Sequence, residues 1–205
     1  MKRISLPESW RGRAIVIGDA LFSNDWFTDE EMATAAAFRW PRRRAEWKHS
    51  RIAAKQLAIE LGLCRLPRDC VVDRPWLRAG EPRRYVSIAH SGGYAGAAID
   101  IAPIGIDVER VRELKESAAH LFLTDSETSA VRDCDIPHAM LHFWAAKEAA
   151  WKRLGGEVGT LKRVPLHLEK ETATGLHFDQ VETFATGEIV VAITRPSASA
   201  DSSRR

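Results

Sequence analysis

The stretch that most limits the possible folds is Ile104-Gly-Ile-Asp-Val-Glu-Arg110. Apolar and acidic residues alternate in it, and successive side chains of a strand point to opposite faces. The pattern predicts a strand that sends Ile106 and Val108 into a core and sets Asp107 and Glu109 side by side on the other face. Carboxylates so placed raise each other's pKa unless a cation lies between them, and hard divalent cations favour such oxygen ligands. Read alone, the stretch is also an ordinary half-buried strand with two solvated acids.

A second stretch, Trp144-Ala-Ala-Lys-Glu-Ala-Ala-Trp-Lys152, bears on that choice. On a helix Trp144, Glu148 and Lys152 share a face at i, i+4, i+8. A surface Glu–Lys pair there is worth only about 0.3–0.5 kcal/mol. Trp144 and Trp151 predict partial burial, where such a pair needs a reason to exist. The helix should start near Pro137 and stop at Gly155-Gly156.

The rest of the chain punctuates clearly. Residues 13–17 read as a strand, and Thr28-Asp-Glu-Glu31 is a capping box that opens a helix to about residue 38. A second helix is predicted over residues 42–61, stopped by Gly62. On its wheel Arg44, Lys48, Arg51 and Lys55 form one stripe. Ala45, Ile52 and Ile59 flank the stripe on one side, and Trp47, Ala54, Ala58 and Leu61 on the other. Glu46, His49, Gln56 and Glu60 lie opposite and read as the solvent side. The stripe is either a solvated face or an inward groove for a polyanion. Residues 85–90 and 94–99 read as a hairpin turning at Gly92-Gly93. Residues 113–122 read as a helix, and Thr124-Asp-Ser-Glu127 as a second capping box. Residues 164–169, 176–182 and 188–194 read as strands, with turns at Thr174-Gly175 and Thr186-Gly187. The sum is an α+β protein with mainly antiparallel sheets. His138 and His142 are spaced as a metal pair, but without a third ligand they read as ordinary helix histidines.

Composition narrows the setting. A chain of 205 residues, 45% hydrophobic and 28% charged, has enough apolar material for one core or two small lobes. No apolar run approaches the roughly 18 residues of a membrane span, and the first residues lack a secretory apolar segment. Cys64, Cys70 and Cys134 form no CxxC pair and read as reduced thiols, so a cytoplasmic protein is expected. No internal sequence repeat is visible. Residues 196–205, rich in Ser and Ala, read as a disordered tail.

Taken together, Gly105-Ile-Asp-Val-Glu109 and Trp144-x-x-Lys147-Glu148-x-x-x-Lys152 resemble the motifs of the 4'-phosphopantetheinyl transferase superfamily. The length is similar to that of its monomeric, two-lobed members. The resemblance implies two similar α+β lobes in a pseudo-twofold arrangement. Residues 1–102 would form a lobe that binds the phosphates of coenzyme A, and residues 103–195 a lobe with metal and catalytic helix. It implies transfer of phosphopantetheine from coenzyme A to a serine of an acidic apo acyl or peptidyl carrier protein, with Mg²⁺ or Mn²⁺. No nucleic-acid or membrane partner is implied. Asp107, Glu109 and Glu148 would hold the metal; Glu148 would be the base and Lys152 the stabiliser of developing charge. Arg44, Lys48, Arg51, Arg74 and His90 would hold coenzyme A. Asp73-Arg74-Pro75 resembles the family's Gly-Lys-Pro or Gly-Arg-Pro, with Asp73 in place of Gly. Ala89-His90-Ser91 resembles its Ser-His-Ser, with Ala89 in place of the first Ser. Two other readings use the same residues: a Mg²⁺-dependent nucleotide or phosphodiester hydrolase, and a non-catalytic protein that binds acidic partners.

Overall fold

The chain divides into two units, residues 1–103 and 104–205, and the computed structural model describes residues 2–18 and 23–196. The first unit runs β1 (Ala14–Ile17), α1 (Asp29–Ala36), α2 (Pro41–Glu60), β2 (Val71–Asp73), β3 (Trp76–Arg78), β4 (Arg84–Ser91) and β5 (Tyr94–Asp100). Its sheet has the order β1-β5-β4-β3-β2 with antiparallel neighbours. The long helix α2 lies across β1, β4 and β5. Ile52, Ala53 and Leu57 of the helix pack with Ile15, Ile17 and Ile88 of the sheet.

The second unit runs β6 (Ile106–Arg110), α3 (Ala119–Phe122), α4 (Asp125–Asp133), α5 (Ala139–Arg153), β7 (Leu168–Thr172), β8 (Gly175–Phe178), β9 (Val181–Ala185) and β10 (Ile189–Thr194). Its sheet has the order β6-β10-β9-β8-β7 and is again antiparallel. The topology is the same in both units: the first strand closes against the last, and the long helix covers the sheet. The expected α+β fold with two lobes is thus present, although no repeat is visible in the sequence.

A shared clasp ties the helices of each unit together. Thr28 Oγ1 accepts from Glu31 N at 3.2 Å while Glu31 Oε2 accepts from Thr28 N at 3.0 Å. Thr124 and Glu127 repeat the reciprocal pair at 3.3 and 2.8 Å. Each glutamate also takes a lysine ammonium from the long helix, Lys55 at 2.9 Å and Lys147 at 2.8 Å, and both lysines are fully buried. Lys55 further donates to Pro67 O and Cys70 O, and Lys147 to Val164 O. A buried cation needs such partners, since an unpaired one carries a desolvation cost of several kcal/mol.

Several expectations need correction. Lys55 belongs to the basic stripe by its spacing, yet it is in the interior. The side of α2 read as solvent-facing holds His49 at 6% exposure and Ala53 at 0%. The helix is therefore covered on more sides than its pattern indicates. The helix read over residues 113–122 is a single turn, 116–118, leading into the short α3. The strand read over 164–169 lies later, at β7. The one read over 176–182 is two strands, β8 and β9, turning at Asp179-Gln180. Helix α5 starts two residues after Pro137, with His138 before it at φ 60°. Gly155 and Gly156 follow it at φ 72° and 74°, a left-handed stop that suits glycine. Of the tail read as disordered, residues 197–205 lie outside the described residues.

Candidate active site

Strand β6 and helix α5 bring the two motifs together in the second unit. The alternation of β6 holds, and Ile106 and Val108 are buried as expected. The acids, not the apolar pair, face α5. They share that face with Val190 and Ala192, which are their register partners on β10 and part of the core under the helix. Ile106 and Val108 point from the opposite face and are also buried.

Helix α5 presents Trp144, Glu148 and Lys152 to this acidic row. Trp144 Nε1 donates to Glu109 Oε1 at 2.8 Å, and its ring meets Phe122 edge-on at 5.0 Å. Arg112 Nη2 donates to Glu109 Oε2 at 3.3 Å. Lys152 Nζ donates to Asp107 Oδ1 at 2.7 Å and to Ile106 O at 3.1 Å. Asp107 Oδ2 is buried and has no hydrogen-bond partner. Glu148, half-buried, makes no hydrogen bond among the described residues.

The approach of strand and helix depends on Gly105. A Cβ there would stand 1.8 Å from Ala149 O and 3.0 Å from Arg153 N, on the backbone turn that carries Lys152. Only a residue without a side chain lets β6 come this near to α5.

The electrostatics mark the row as crowded with negative charge. Burial pushes the Asp107 carboxyl up to about 7; Lys152 opposes this, and Glu109 and Glu148 add to it. Burial also raises Glu148, with Glu109 adding to the effect and Lys152 opposing it. Among the described residues no three His, Cys, Asp or Glu side chains converge closely enough to enclose a metal ion. In chemistry the donors still suit a hard divalent cation, because all are carboxylate oxygens and one is buried without a partner. The positive charge against Asp107 here is the Lys152 ammonium.

The first unit holds the predicted cations. Arg51 stacks on the Trp47 ring at 3.7 Å, and its Nε is buried without a partner. Burial pulls its pKa down to about 10, and the nearby Arg74, at the β2–β3 turn, pulls in the same direction. Two cations that oppose each other, one of them partly desolvated, would both gain from a neighbouring anion. His90, at the end of β4, lies 3.3 Å from Arg43 Nη1 through Nε2 and 4.0 Å from Glu46 through Nδ1. The other two candidates have internal partners. Arg44 Nη2 donates to Phe38 O at 3.1 Å, and Lys48 Nζ to Asn24 Oδ1 at 3.0 Å. Arg43 was not singled out by the sequence. Its signal is the run Arg42-Arg43-Arg44, in which the wheel favours only the third. The histidines do not form a metal pair: His142 is buried with Nδ1 2.7 Å from Thr183 Oγ1, while His138 Nδ1 lies 3.0 Å from Glu113 Oε1.

No curated protein matches the chain. Residues 103–199 match the family model of the 4'-phosphopantetheinyl transferase superfamily, and both motifs lie inside that segment. Over residues 103–199, which hold the acidic β6 and the Glu148–Lys152 helix, this chain is similar to the 4'-phosphopantetheinyl transferase superfamily.

Proposed function

We propose that the protein moves 4'-phosphopantetheine from coenzyme A to a serine of an acidic apo carrier protein, as a monomer of the two-lobed type. The reading rests above all on Asp107, Glu109, Glu148 and Lys152 meeting across β6 and α5. Such transfer needs charge neutralised and two oxygens held in line more than covalent help from protein.

The serine hydroxyl attacks the phosphorus bearing pantetheine. A new oxygen–phosphorus bond forms, the bond to the bridging pyrophosphate oxygen breaks, and 3',5'-ADP leaves. Glu148 accepts the hydroxyl proton. Among the described residues it has no competing hydrogen bond, and its raised pKa makes it a better base than a surface glutamate. Lys152 stabilises the charge that develops on the bridging oxygen. Asp107, Glu109 and Glu148 would hold a Mg²⁺ or Mn²⁺, which when bound neutralises pyrophosphate charge. In the first unit Arg51 and Arg74 hold phosphate, and His90 with Arg43 adds donors. Arg44 and Lys48 contribute once released from Phe38 O and Asn24. Cys64, Cys70 and Cys134 are free thiols, in keeping with a cytoplasmic protein.

Mass spectrometry of apo carrier proteins incubated with the protein, coenzyme A and Mg²⁺ tests the proposal. The carrier serine should gain about 340 Da, the mass of the transferred group. Unmodified carriers together with cleaved coenzyme A would favour the hydrolase. Coenzyme A left intact, with binding that needs no Mg²⁺, would favour the binding protein.

A further inference from the structure

Lys152 has two geometric commitments that do not fit together easily. In the proposed reaction its ammonium serves the substrate. In the structure it donates to Asp107 Oδ1 at 2.7 Å and to Ile106 O at 3.1 Å. With both contacts made, the ammonium is directed at the strand. Its side chain is only 21% exposed, and that of Asp107 only 8%. Asp107 Oδ2, buried and unpartnered, shows that the carboxylate has capacity for a further positive group. The other acids differ. Glu109 is held through both oxygens by Trp144 and Arg112, and Glu148 makes no hydrogen bond among the described residues.

We propose that Lys152 and the divalent cation are alternative partners of Asp107, so that metal entry releases the Lys152 ammonium from β6 toward the substrate. The inference rests on the metal reading given above. A divalent cation on the Asp107 carboxylate brings two positive charges against an ammonium already in contact with it, and like charges so close repel strongly at reduced dielectric. The lysine stem is flexible and its head is the less buried member of the pair, so Lys152 is the group that moves. Without metal, Lys152 neutralises an acidic row that would otherwise repel itself. With metal, the same charge is delivered where negative charge develops.

The full-length protein, free of coenzyme A, tests this in two ways. Mn²⁺ binding by electron paramagnetic resonance should tighten by about tenfold or more in Lys152→Met, since a competing charge-assisted contact is gone. It should change by less than about threefold in Arg112→Met, whose exposed pair with Glu109 is weak. Removal of a nearby charge could tighten binding without exchange, so the second measurement decides. In the ¹⁵N spectrum of lysine ammonium groups at low temperature, the Lys152 signal should be seen without metal and shift or vanish as Mg²⁺ is added. The buried Lys55 and Lys147 signals should stay in place. A Lys152 signal unchanged at Mg²⁺ saturation, or equal Mn²⁺ affinity in wild type and Lys152→Met, overturns the exchange and leaves the metal reading intact. Mn²⁺ binding that is undetectable in wild type, or unaffected by Asp107→Asn, removes the metal reading and the exchange with it.

Discussion

Gly105→Ala is the sharpest test of how the site is assembled. The added Cβ would stand 1.8 Å from Ala149 O and 2.8 Å from Ala149 C. Ordinary contact begins near 3.4 Å, so β6 and α5 must separate by about 1.6 Å. Neither can yield easily. Gly105 N donates to Thr194 Oγ1 at 2.9 Å, and Gly105 O accepts from Thr194 N at 3.0 Å, which fixes the strand to β10. The obstacle on the helix side is backbone, and Ala145, Ala146, Ala149 and Ala150 are all fully buried against the sheet. Overpacking typically costs about 1–3 kcal/mol and backbone obstacles fall at the upper end, while a stiffer unfolded chain offsets about 0.4–1 kcal/mol. A net loss of about 2–3 kcal/mol lowers Tm by about 4–12 °C for a chain of this size. Gly187→Ala is the control, because nothing lies within 4 Å of its added Cβ and its φ is not in the left-handed region. Urea denaturation and thermal melting of both variants measure the difference. If Gly105→Ala matches Gly187→Ala in stability, glycine is not what sets the strand–helix approach, and the argument fails.

Asp107→Asn should stabilise the metal-free protein at pH 8 and have little effect near pH 4. The raised folded pKa of about 7 means that the native carboxyl accrues its cost as pH rises from 3.8 through 7; denaturation midpoints across that range check the sign, and a benefit at low pH would contradict it. Lys147→Met and Glu127→Gln should each cost about 3–5 kcal/mol while the double variant costs less than their sum, because each single change strands a buried partner; additive losses in a double-mutant cycle would deny the coupling. Arg51→Ala should raise the Kd for coenzyme A in calorimetry more than it lowers kcat, since phosphate grip precedes and accompanies transfer; unchanged affinity would count against the phosphate role. Glu148→Gln should lower the rate by about 10²–10⁴-fold without rescue by excess Mg²⁺, whereas Asp107→Asn recovers in part; full rescue of Glu148→Gln would reduce Glu148 to a ligand.

What could be seen in the sequence follows from how locally each feature is encoded. The capping boxes at Thr28 and Thr124 were legible because cap and partner lie three residues apart. The facing of Trp144, Glu148 and Lys152 was legible because helical spacing fixes it. The interior place of Lys55 is not legible, because its acceptors, Glu31, Pro67 O and Cys70 O, come together only in the tertiary fold. The β8–β9 turn at Asp179-Gln180 carries no glycine or proline, so the pattern reads as one strand where there are two. Strands β2 and β3 are three residues each, too short for a period of two to register. The acidic row is legible in the alternation of β6, and so is the burial of Ile106 and Val108. Alternation gives two faces without saying which of them a helix will cover, and here both are buried.

The strand order has a consequence for how such a chain can be rearranged. In each unit the opening strand pairs with the closing one, Ala14 beside Ala98 and Ile106 beside Ile193. Entry and exit therefore adjoin, and the only residues between the last strand of one unit and the first strand of the next are 101–105. A cut between Pro103 and Ile104 crosses no strand pairing. Each half is a cassette that can be permuted, by linking its old ends through a short loop and opening new ones at a hairpin such as Gly92-Gly93 or Asp179-Gln180, with every rung of its sheet retained.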